Sequence, residues 1–400
     1  MATLAMLDGF EHGNAASGVG GVYDSVAGTP TMVTSPVRSG LRSLEIGTAA
    51  ATENVQYSVA SQIVTQSAYV RFAALPSTDA DLLFFQKTGD DGYFKWDVTS
   101  GRFALSIAGG AGDAPFGPST VSINTWYRVV VEYDTSTTTA IIRARLDGGP
   151  EGSTTKAITV ANIFSVDVGT KVTTETYTVY VDDWIVSVTD GDYEEISGTW
   201  TNHEVQSLIP NADGTHNIAV AGDFDSFVGT AFANSTTNGN SFIGHRPLQL
   251  ANTADQVIRQ ELGATTDYME FLMEDLAAGS LIPFAVRAYA AHIESADTGA
   301  SLGEARLLLS DNTEVLTTGS VSAINSTEDP GIAVTLRKRM TIAPSGGWTR
   351  TNVNGVKARV GFADGDPDVN FTDLMVEVAL QESPTGAASI LAKTQLIYRG

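Results

Sequence analysis

The chain has 400 residues, with 46 acidic and 23 basic side chains and a formal net charge of −23. This balance excludes a surface built for nucleic acid or anionic lipid, because both are bound through clusters of Lys and Arg. The sequence contains no cysteine, which excludes disulfides, thiolate zinc sites and cysteine nucleophiles.

The N-terminal text "MATLAMLDGFEHG" lacks the basic region and the long apolar region of a secretory signal. No run of about 18 apolar residues, the length that a membrane-spanning helix needs, occurs elsewhere. We therefore expect no membrane insertion, synthesis in the cytoplasm, and release from the cell by lysis.

Between residues 40 and 190 the sequence consists of short runs rich in Val, Ile, Tyr, Phe and Thr, which is typical of antiparallel strands. The runs are RSLEI, VQYSV, SAYVRFAA, LLFFQ, YFKWDV, RFALSI, TWYRVVVEYD, TAIIRARLD, KAITV and TYTVYVDDWIVSV. Gly-containing turns such as TGDDGY and LDGGPEG separate them, as in hairpins. So many hairpins predict two sheets packed face to face, in a jelly-roll sandwich.

Two adjacent acids, Asp182 and Asp183, lie inside the last of these runs. Side chains alternate between the faces of a strand, so the two carboxylates should diverge unless a bulge intervenes. This disfavours a retaining glycosidase, whose two carboxyls lie about 5 Å apart on one side of the substrate. We expect one carboxylate to accept hydrogen bonds from a loop while the other faces solvent or a subunit. A calcium site shared with a loop acid is the alternative.

The loop GDDGY at 89–93, with Trp96 nearby, has two interpretations. Aromatic faces stack on sugar rings while acids and amides bind the hydroxyls, so the loop is a candidate sugar-binding site. The favoured interpretation is a plain hairpin turn, because Asp and Gly are the residues that such turns require.

The second half of the chain predicts a second β-sandwich. The segments ADQVIRQEL and DYMEFLMEDL are consistent with short helices or strands, and the later apolar runs indicate strands. The predicted organisation is a first sandwich, a linker, a second sandwich and a C-terminal tail or docking arm, at residues 1–192, 193–216, 217–382 and 383–400.

Catalytic and metal-binding motifs are absent from the sequence. The five histidines form no H-x-x-x-H or H-E-x-x-H pair, and the serines form no G-x-S-x-G turn. We therefore predict a protein that is not an enzyme, with no catalytic, cofactor-binding or metal-binding residues, no cofactor, and ligand-binding residues that the sequence does not identify.

Three segments of the first half are RSGLRSLEI, NTWYRVVVEYD with AIIRARLDG, and YTVYVDDWIVSV. Together they resemble the concanavalin A-like lectin/glucanase superfamily, in particular its laminin-G-like members. The whole chain resembles tailed-bacteriophage virion proteins in its opening MLDGFEHG, its PNADGT segment and its VNGVKARVGF and DLMVEV segments. The resemblance implies a virion structural protein of a tail, baseplate or capsid appendage.

The function expected from this resemblance is particle assembly, with attachment to host-surface glycans as a further role. The expected partners are other virion proteins and further copies of the chain, with a trimer favoured, and the expected location is the virion. The alternatives are a carbohydrate-binding lectin and a glycoside hydrolase.

Overall fold

The protein is described by a computed structural model. The structure describes residues 4–10, 23–47, 52–110, 112–171, 177–190, 192–193, 196, 203–208, 210–213, 258–261, 268–294, 302–317, 321–322, 334–338, 347–362 and 368–382. Strands dominate these residues, and none of their helices is long and apolar enough to cross a membrane. The predicted C-terminal arm, 383–400, lies outside the described residues.

The first unit is built from short strands, and in some of them, such as Thr139–Leu146, more buried and less buried side chains alternate along the chain. The strands of this unit are β1 Leu4–Asp8, β2 Ser25–Ala27, β3 Thr31–Val33, β4 Ser43–Ile46, β5 Glu53–Ser61, β6 Ile63–Phe72, β7 Ala80–Gln86, β8 Gly92–Asp97, β9 Arg102–Ile107, β10 Ala114–Phe116, β11 Tyr127–Asp134, β12 Thr139–Leu146, β13 Gly152–Ala157, β14 Ile163–Thr170 and β15 Val179–Ser187.

These strands form two antiparallel sheets. The first has the order β13-β12-β11-β6-β15-β4-β3, with β1 also paired to β15, and the second has the order β10-β9-β8-β7-β14-β5-β2. Their facing sides share one apolar core, which includes Phe72, Trp96 and Phe103, with Phe72 in ring contact with both. The first unit is therefore a β-sandwich, as predicted.

The second unit is also built from antiparallel strands. They are β16 His203–Leu208, β17 Pro210–Asp213, β18 Ile258–Glu261, β19 Tyr268–Met273, β20 Ile282–Glu294, β21 Leu302–Leu308, β22 Glu314–Thr317, β23 Val321–Ser322, β24 Val334–Lys338, β25 Lys357–Phe362 and β26 Asp368–Gln381. A single-turn helix, α1 Arg350–Val353, is capped by the side chain of Thr349. The two segments for which the sequence allowed helix or strand contain strands β18 and β19.

The described strands of this unit form a third sheet, β16-β26-β20-β24 with β18 beside β26, and a fourth, β17-β19-β25-β21-β22 with β23 beside β21. The predicted all-β class is confirmed, with a first β-sandwich followed by a second. In the span 193–216, predicted as a linker, residues 203–208 and 210–213 instead form strands of the third and fourth sheets. Buried Val205 and Leu208 hold the first of these strands in place, which a free linker would not do.

The two units share a second apolar core. It lies between the outer face of the first sheet and one face of the third sheet, and its members are Leu4, Leu7, Val130, Ile185, Tyr193, Ile196, Val205, Phe284, Ala285 and Ala379. Val205, Ala379 and Ala285 are paired neighbours across β16, β26 and β20. Small side chains in this row allow the sheets to approach closely.

Candidate functional site

The paired acids of β15 lie at a bulge. β15 pairs with β4 along Val179–Val181 and with β1 along Trp184–Ser187, so Asp182 and Asp183 occupy the gap between two edge partners. The register with β6 shifts across this gap, and Asp183 has a φ of 51°. The expectation that the two carboxylates diverge is therefore wrong, because the extra residue of the bulge interrupts the alternation of faces.

Both carboxylates accept hydrogen bonds from the loop that precedes β4. Asp182 Oδ2 accepts from the backbone amides of Arg38 at 2.7 Å and Ser39 at 3.3 Å. Asp183 Oδ1 accepts from the Ser39 hydroxyl at 2.7 Å and from the Val205 amide of β16 at 2.7 Å. The two carboxylates thus supply hydrogen bonds at the gap, where β15 has no paired edge strand. Asp183 also binds the second sandwich through Val205.

Neither acid is exposed to solvent: the exposed fraction of each is 0%. The expectation that one carboxylate would face solvent or a subunit does not hold, because both acids are enclosed within the chain, and the loop expected to donate to one of them donates to both. Burial raises the pKa of Asp183 to about 6, and burial together with the charge of Asp183 raises the pKa of Asp182 well above its ordinary value.

Aromatic and cationic side chains surround the pair. The guanidinium of Arg38 lies over the ring of Tyr69, 4.4 Å from its centroid, and the Tyr69 ring contacts that of His203. His203 Nε2 lies 3.2 Å from the carbonyl oxygen of Asp183, and burial lowers the pKa of His203 to about 3. His203 is therefore neutral near pH 7 and donates through Nε2, because a carbonyl only accepts.

This arrangement does not suit bond cleavage. A glycosidase needs two carboxyls that face a substrate across an open cleft. The carboxyls of Asp182 and Asp183 are enclosed and hold backbone amides in place, so a sugar cannot reach them. The sequence reasoning missed Ser39, His203 and Val205, and only the bulge, which leaves no mark in the residue pattern, brings them together.

A second buried network fixes the N-terminal strand to both units. Asp8 accepts hydrogen bonds from the Phe10 amide at 2.6 Å and from the Tyr23 hydroxyl at 2.9 Å. The amide of Gly9 donates to Glu377 Oε1 at 3.2 Å. Since a Cβ at Gly9 would lie 3.1 Å from the carbonyl oxygen of Val205, glycine permits this close approach. The LDGF segment therefore serves as a junction element.

Arg287 completes this network from β20. Its Nη1 donates to the carbonyl of Leu7 at 2.5 Å and lies 3.5 Å from Glu377 Oε2. Arg287 and Glu377 are almost fully buried, at 5% and 1% exposure. Buried charges persist when they are paired and hydrogen-bonded, as here.

The outer face of the second sheet carries a polar and aromatic row. Strand register aligns five neighbours across five strands: Ser106, Tyr93, Phe84, Asp167 and Gln56. The rings of Phe84 and Tyr93 are stacked, with centroids 6.1 Å apart. We call these five residues the outer row.

Amide side chains and a buried acid lie at the centre of the outer row. The side-chain amides of Gln56 and Gln86 both donate to Asp167 Oδ1, at 3.1 and 3.2 Å. Burial raises the pKa of Asp167 to about 7. The ammonium of Lys171 lies 5.9 Å from the ring centroids of both Phe84 and Tyr93. Phe84 and Asp167 are fully buried, so the partly exposed members of the outer row are Tyr93, Gln56 and Ser106.

The GDDGY segment forms the turn between the paired strands β7 and β8, in agreement with the favoured interpretation. Asp90 pairs with Lys87 at 2.9 Å and with Lys156 at 2.6 Å, so its carboxylate is already engaged. Trp96 is buried in the core and donates to the carbonyl of Pro76. The aromatic side chain of this hairpin that faces outward is Tyr93, not Trp96.

One acidic group among the described residues has the spacing of a metal site. The carboxylates of Asp79, Asp97 and Asp113 lie within 4.8 Å of one another. The ammonium of Lys95 lies 2.9 Å from Asp79 and 2.7 Å from Asp113, so a cationic side chain already pairs with two of these three carboxylates. The calcium alternative suggested for Asp182 and Asp183 is disfavoured, because three of their four carboxylate oxygens already accept hydrogen bonds from backbone amides or from the Ser39 hydroxyl.

No family model and no curated protein matches this chain. The Trypanosoma rangeli sialidase in complex with the inhibitor DANA is 16% identical, with a TM-score of 0.33, over 46% of this chain and 30% of the sialidase. A carbohydrate esterase from the Shiga toxin-encoding bacteriophage phi24B is 12% identical, with a TM-score of 0.32, over 42% of this chain and 90% of the esterase. The lectin UEA-II complexed with galactose is 12% identical, with a TM-score of 0.27, over 41% of this chain and 91% of the lectin. At such identities a likeness concerns the fold and not the activity.

Proposed function

We propose that the chain is a non-enzymatic structural protein of a bacteriophage particle, part of a tail, baseplate or capsid appendage. The second sandwich holds the first in a fixed position, and the first presents its outer surface to other virion proteins or to the host. The observation that carries this proposal is the buried contact between the sandwiches. The resemblance of the MLDGFEHG and PNADGT segments to virion proteins suggests the particle.

The contact is built as a permanent one. It combines an apolar core with buried hydrogen bonds that link distant parts of the chain: Gly9 to Glu377, Arg287 to Leu7, and Val205 to Asp183. A hinged pair of modules would keep such polar groups in water. A fixed pair suits a component that must transmit the geometry of a particle.

The paired acids support the non-enzymatic part of the proposal. Asp182 and Asp183 were the candidates for paired-carboxylate chemistry, and both hold backbone amides inside the protein. The proposed partners are other virion proteins and further copies of the chain, with a trimer favoured. The high negative charge keeps such a protein soluble at high local concentration.

Mass spectrometry of purified phage particles tests the proposal. We expect the intact chain in washed particles at a fixed copy number, with a high number indicating capsid decoration and a small multiple of three indicating a tail structure. Recovery of the chain only in the lysate, and not in particles, would contradict it. Multi-angle light scattering of the isolated protein tests the trimer separately.

Glycan attachment is a second role, favoured by the outer row. The side chain of Tyr93 is partly exposed beside the half-buried side chains of Gln56 and Gln86. We propose that a sugar ring stacks on the phenol face at this position. A glycan array with the isolated protein tests this. We expect binding that Tyr93→Ala abolishes and that Tyr57→Phe leaves unchanged, because the Tyr57 hydroxyl donates to the carbonyl of Ala5. Binding unaffected by Tyr93→Ala would remove the outer row from consideration.

The hydrolase alternative is tested on a panel of polysaccharides. Release of reducing ends that Asp182→Asn abolishes would support it. An inactive protein on a broad panel would end it.

A further inference from the structure

The two adjacent carboxyls lie where the sandwiches meet. Asp183 Oδ1 holds the Val205 amide of the second sandwich, whereas Asp183 Oδ2 is buried and accepts no hydrogen bond from the residues that the structure describes. All three oxygens that do accept, two on Asp182 and one on Asp183, have backbone or hydroxyl donors. An ionised carboxylate with one enclosed and unbonded oxygen is costly.

We propose that the Asp182–Asp183 pair makes the contact between the two sandwiches sensitive to pH. When the pair binds a proton, the contact at β16 is at its tightest. When both carboxyls ionise, two adjacent buried charges loosen it. This inference concerns the isolated chain and does not depend on the proposed role in a particle.

The surroundings decide how the pair titrates. The largest influence on both acids is burial, which raises the pKa of Asp183 to about 6 and that of Asp182 well above the ordinary value. Three contacts lower the pKa of Asp183, namely the hydrogen bonds from Ser39 and Val205 and the positive charge of Arg38. The negative charge of Glu204 raises that pKa. Two such neighbours titrate as a unit rather than as separate groups.

Other titratable and charged groups face the pair from four elements, namely the loop before β4, β6, β11 and β16. They are Arg38, Tyr69, Arg128, His203 and Glu204. Arg38 and Arg128 remain protonated throughout the range of interest. His203, with a pKa lowered to about 3 by burial, is already neutral above pH 5. The proton that is exchanged between pH 5 and 8 therefore belongs to the acids.

The direction in which pH changes the stability of this contact follows from the difference in proton binding between the folded and opened states. A group whose pKa is higher in the folded protein binds more protons there than in the opened state, so its stabilising contribution is complete below about pH 4. That contribution is lost as pH rises through about 6 for Asp183, and at higher pH for Asp182. The contact should therefore weaken from mildly acidic to alkaline pH.

Hydrogen–deuterium exchange measured by mass spectrometry on the full chain tests this. Exchange rates are corrected for the intrinsic effect of pH. A carboxyl with a pKa of about 6 is protonated about ten to one at pH 5 and ionised at pH 8, so Asp183 alone predicts a loss of protection of about 10-fold in β16 between these two pH values. The peptide covering β11 should change much less.

Two variants and one control complete the test. Asp183→Asn keeps an acceptor for Val205 and removes the charge, so the response of β16 should flatten. Ser39→Ala removes a donor that lowers the pKa of Asp183, so the loss of protection should begin at higher pH. Asp167→Asn, at a buried acid on the outer row, should leave the response of β16 unchanged.

Three results would overturn the proposal. The first is a protection of β16 in the unsubstituted protein that is constant or rises with pH. The second is an Asp183→Asn protein that responds as the unsubstituted protein does. The third is a Ser39→Ala midpoint that does not move. If Asp183→Asn does not fold, the unsubstituted protein and Ser39→Ala still decide the question.

Discussion

The carboxylate of Asp183 accepts a hydrogen bond from the amide of Val205 at 2.7 Å, across the boundary between two β-sandwiches. Asp183 belongs to the interior strand β15 of the first sandwich, and Val205 to strand β16 of the second. One acid on a bulge thus joins two sheets that sequence alone predicts as separate domains. The contact between the sandwiches can therefore be tested by substituting single side chains and measuring stability.

Asp183→Ala is expected to weaken the protein. It leaves the Ser39 hydroxyl and the Val205 amide without their buried acceptor, and each lost bond of this kind costs about 1 to 3 kcal/mol. Urea denaturation at pH 7 measures the effect. Asp183→Asn, which retains an acceptor oxygen, should cost less.

Asp134→Ala is the control, since Asp134 accepts bonds from Ser136 within a half-buried hairpin turn. It should cost about 1 kcal/mol. Equal losses for Asp183→Ala and Asp134→Ala would show that the contact across the boundary contributes little.

Arg287→Met is expected to destabilise the junction by about 3 to 5 kcal/mol, because it leaves Glu377 as a buried charge without its cation. It also removes the donor to the carbonyl of Leu7. The double variant Arg287→Met with Glu377→Gln should lose less than the two single variants combined. Thermal unfolding and limited proteolysis around residue 200 measure this cycle, and strict additivity would argue against a direct pairing.

The strands of the first sandwich could be predicted from the sequence. Runs such as RFALSI and TWYRVVVEYD are rich in β-branched and aromatic residues, and both became buried strands. The sequence also predicted the turn at Asp90 and Asp91, because Asp and Gly tolerate the backbone angles of a hairpin. These inferences rest on local preferences, which neighbouring residues alone determine.

Contacts between segments that are far apart in the chain could not be predicted from the sequence. Strand β1 has no distinctive pattern of its own, yet Leu4 and Leu7 pack in the core shared by the two units. The bulge at Asp183 depends on β4 ending where β1 begins along β15, a relationship between three segments far apart in the chain. The outer row likewise exists only once five strands are in register.

Asp167→Asn is expected to change how stability depends on pH. Burial raises the pKa of Asp167 to about 7, so its stabilising contribution is complete below about pH 4 and is lost as pH rises towards 7. The variant should therefore gain stability relative to the unsubstituted protein over that range. Unfolding midpoints in urea at pH 4 to 8 measure it.

Asp97→Asn is the matched control for that experiment. Although burial raises the pKa of Asp97, the hydrogen bonds from Ser100 and Thr99 outweigh it and lower the pKa overall. Its contribution is therefore present above about pH 4 and lost as pH falls below that value. Between pH 4 and 8 the stability difference between Asp97→Asn and the unsubstituted protein should therefore stay constant, whereas the difference for Asp167→Asn should grow as pH rises. Parallel trends in the two variants would contradict the assigned direction for one of them.

Lys95→Met is expected to destabilise the first sandwich at low salt, since it leaves three carboxylates within 4.8 Å of one another without the ammonium between them. Burial lowers the pKa of Lys95, but its hydrogen bonds to Asp113 and Asp79 raise it overall, so the side chain is charged near pH 7 in the unsubstituted protein. Hard oxygen ligands at this spacing suit Ca²⁺. Millimolar Ca²⁺ should therefore raise the thermal midpoint of the variant and leave that of the unsubstituted protein unchanged. Lys171→Met, which removes a partner of Asp91 outside this group, should show no Ca²⁺ response, and an equal response in both variants would mean that the ion acts by general screening.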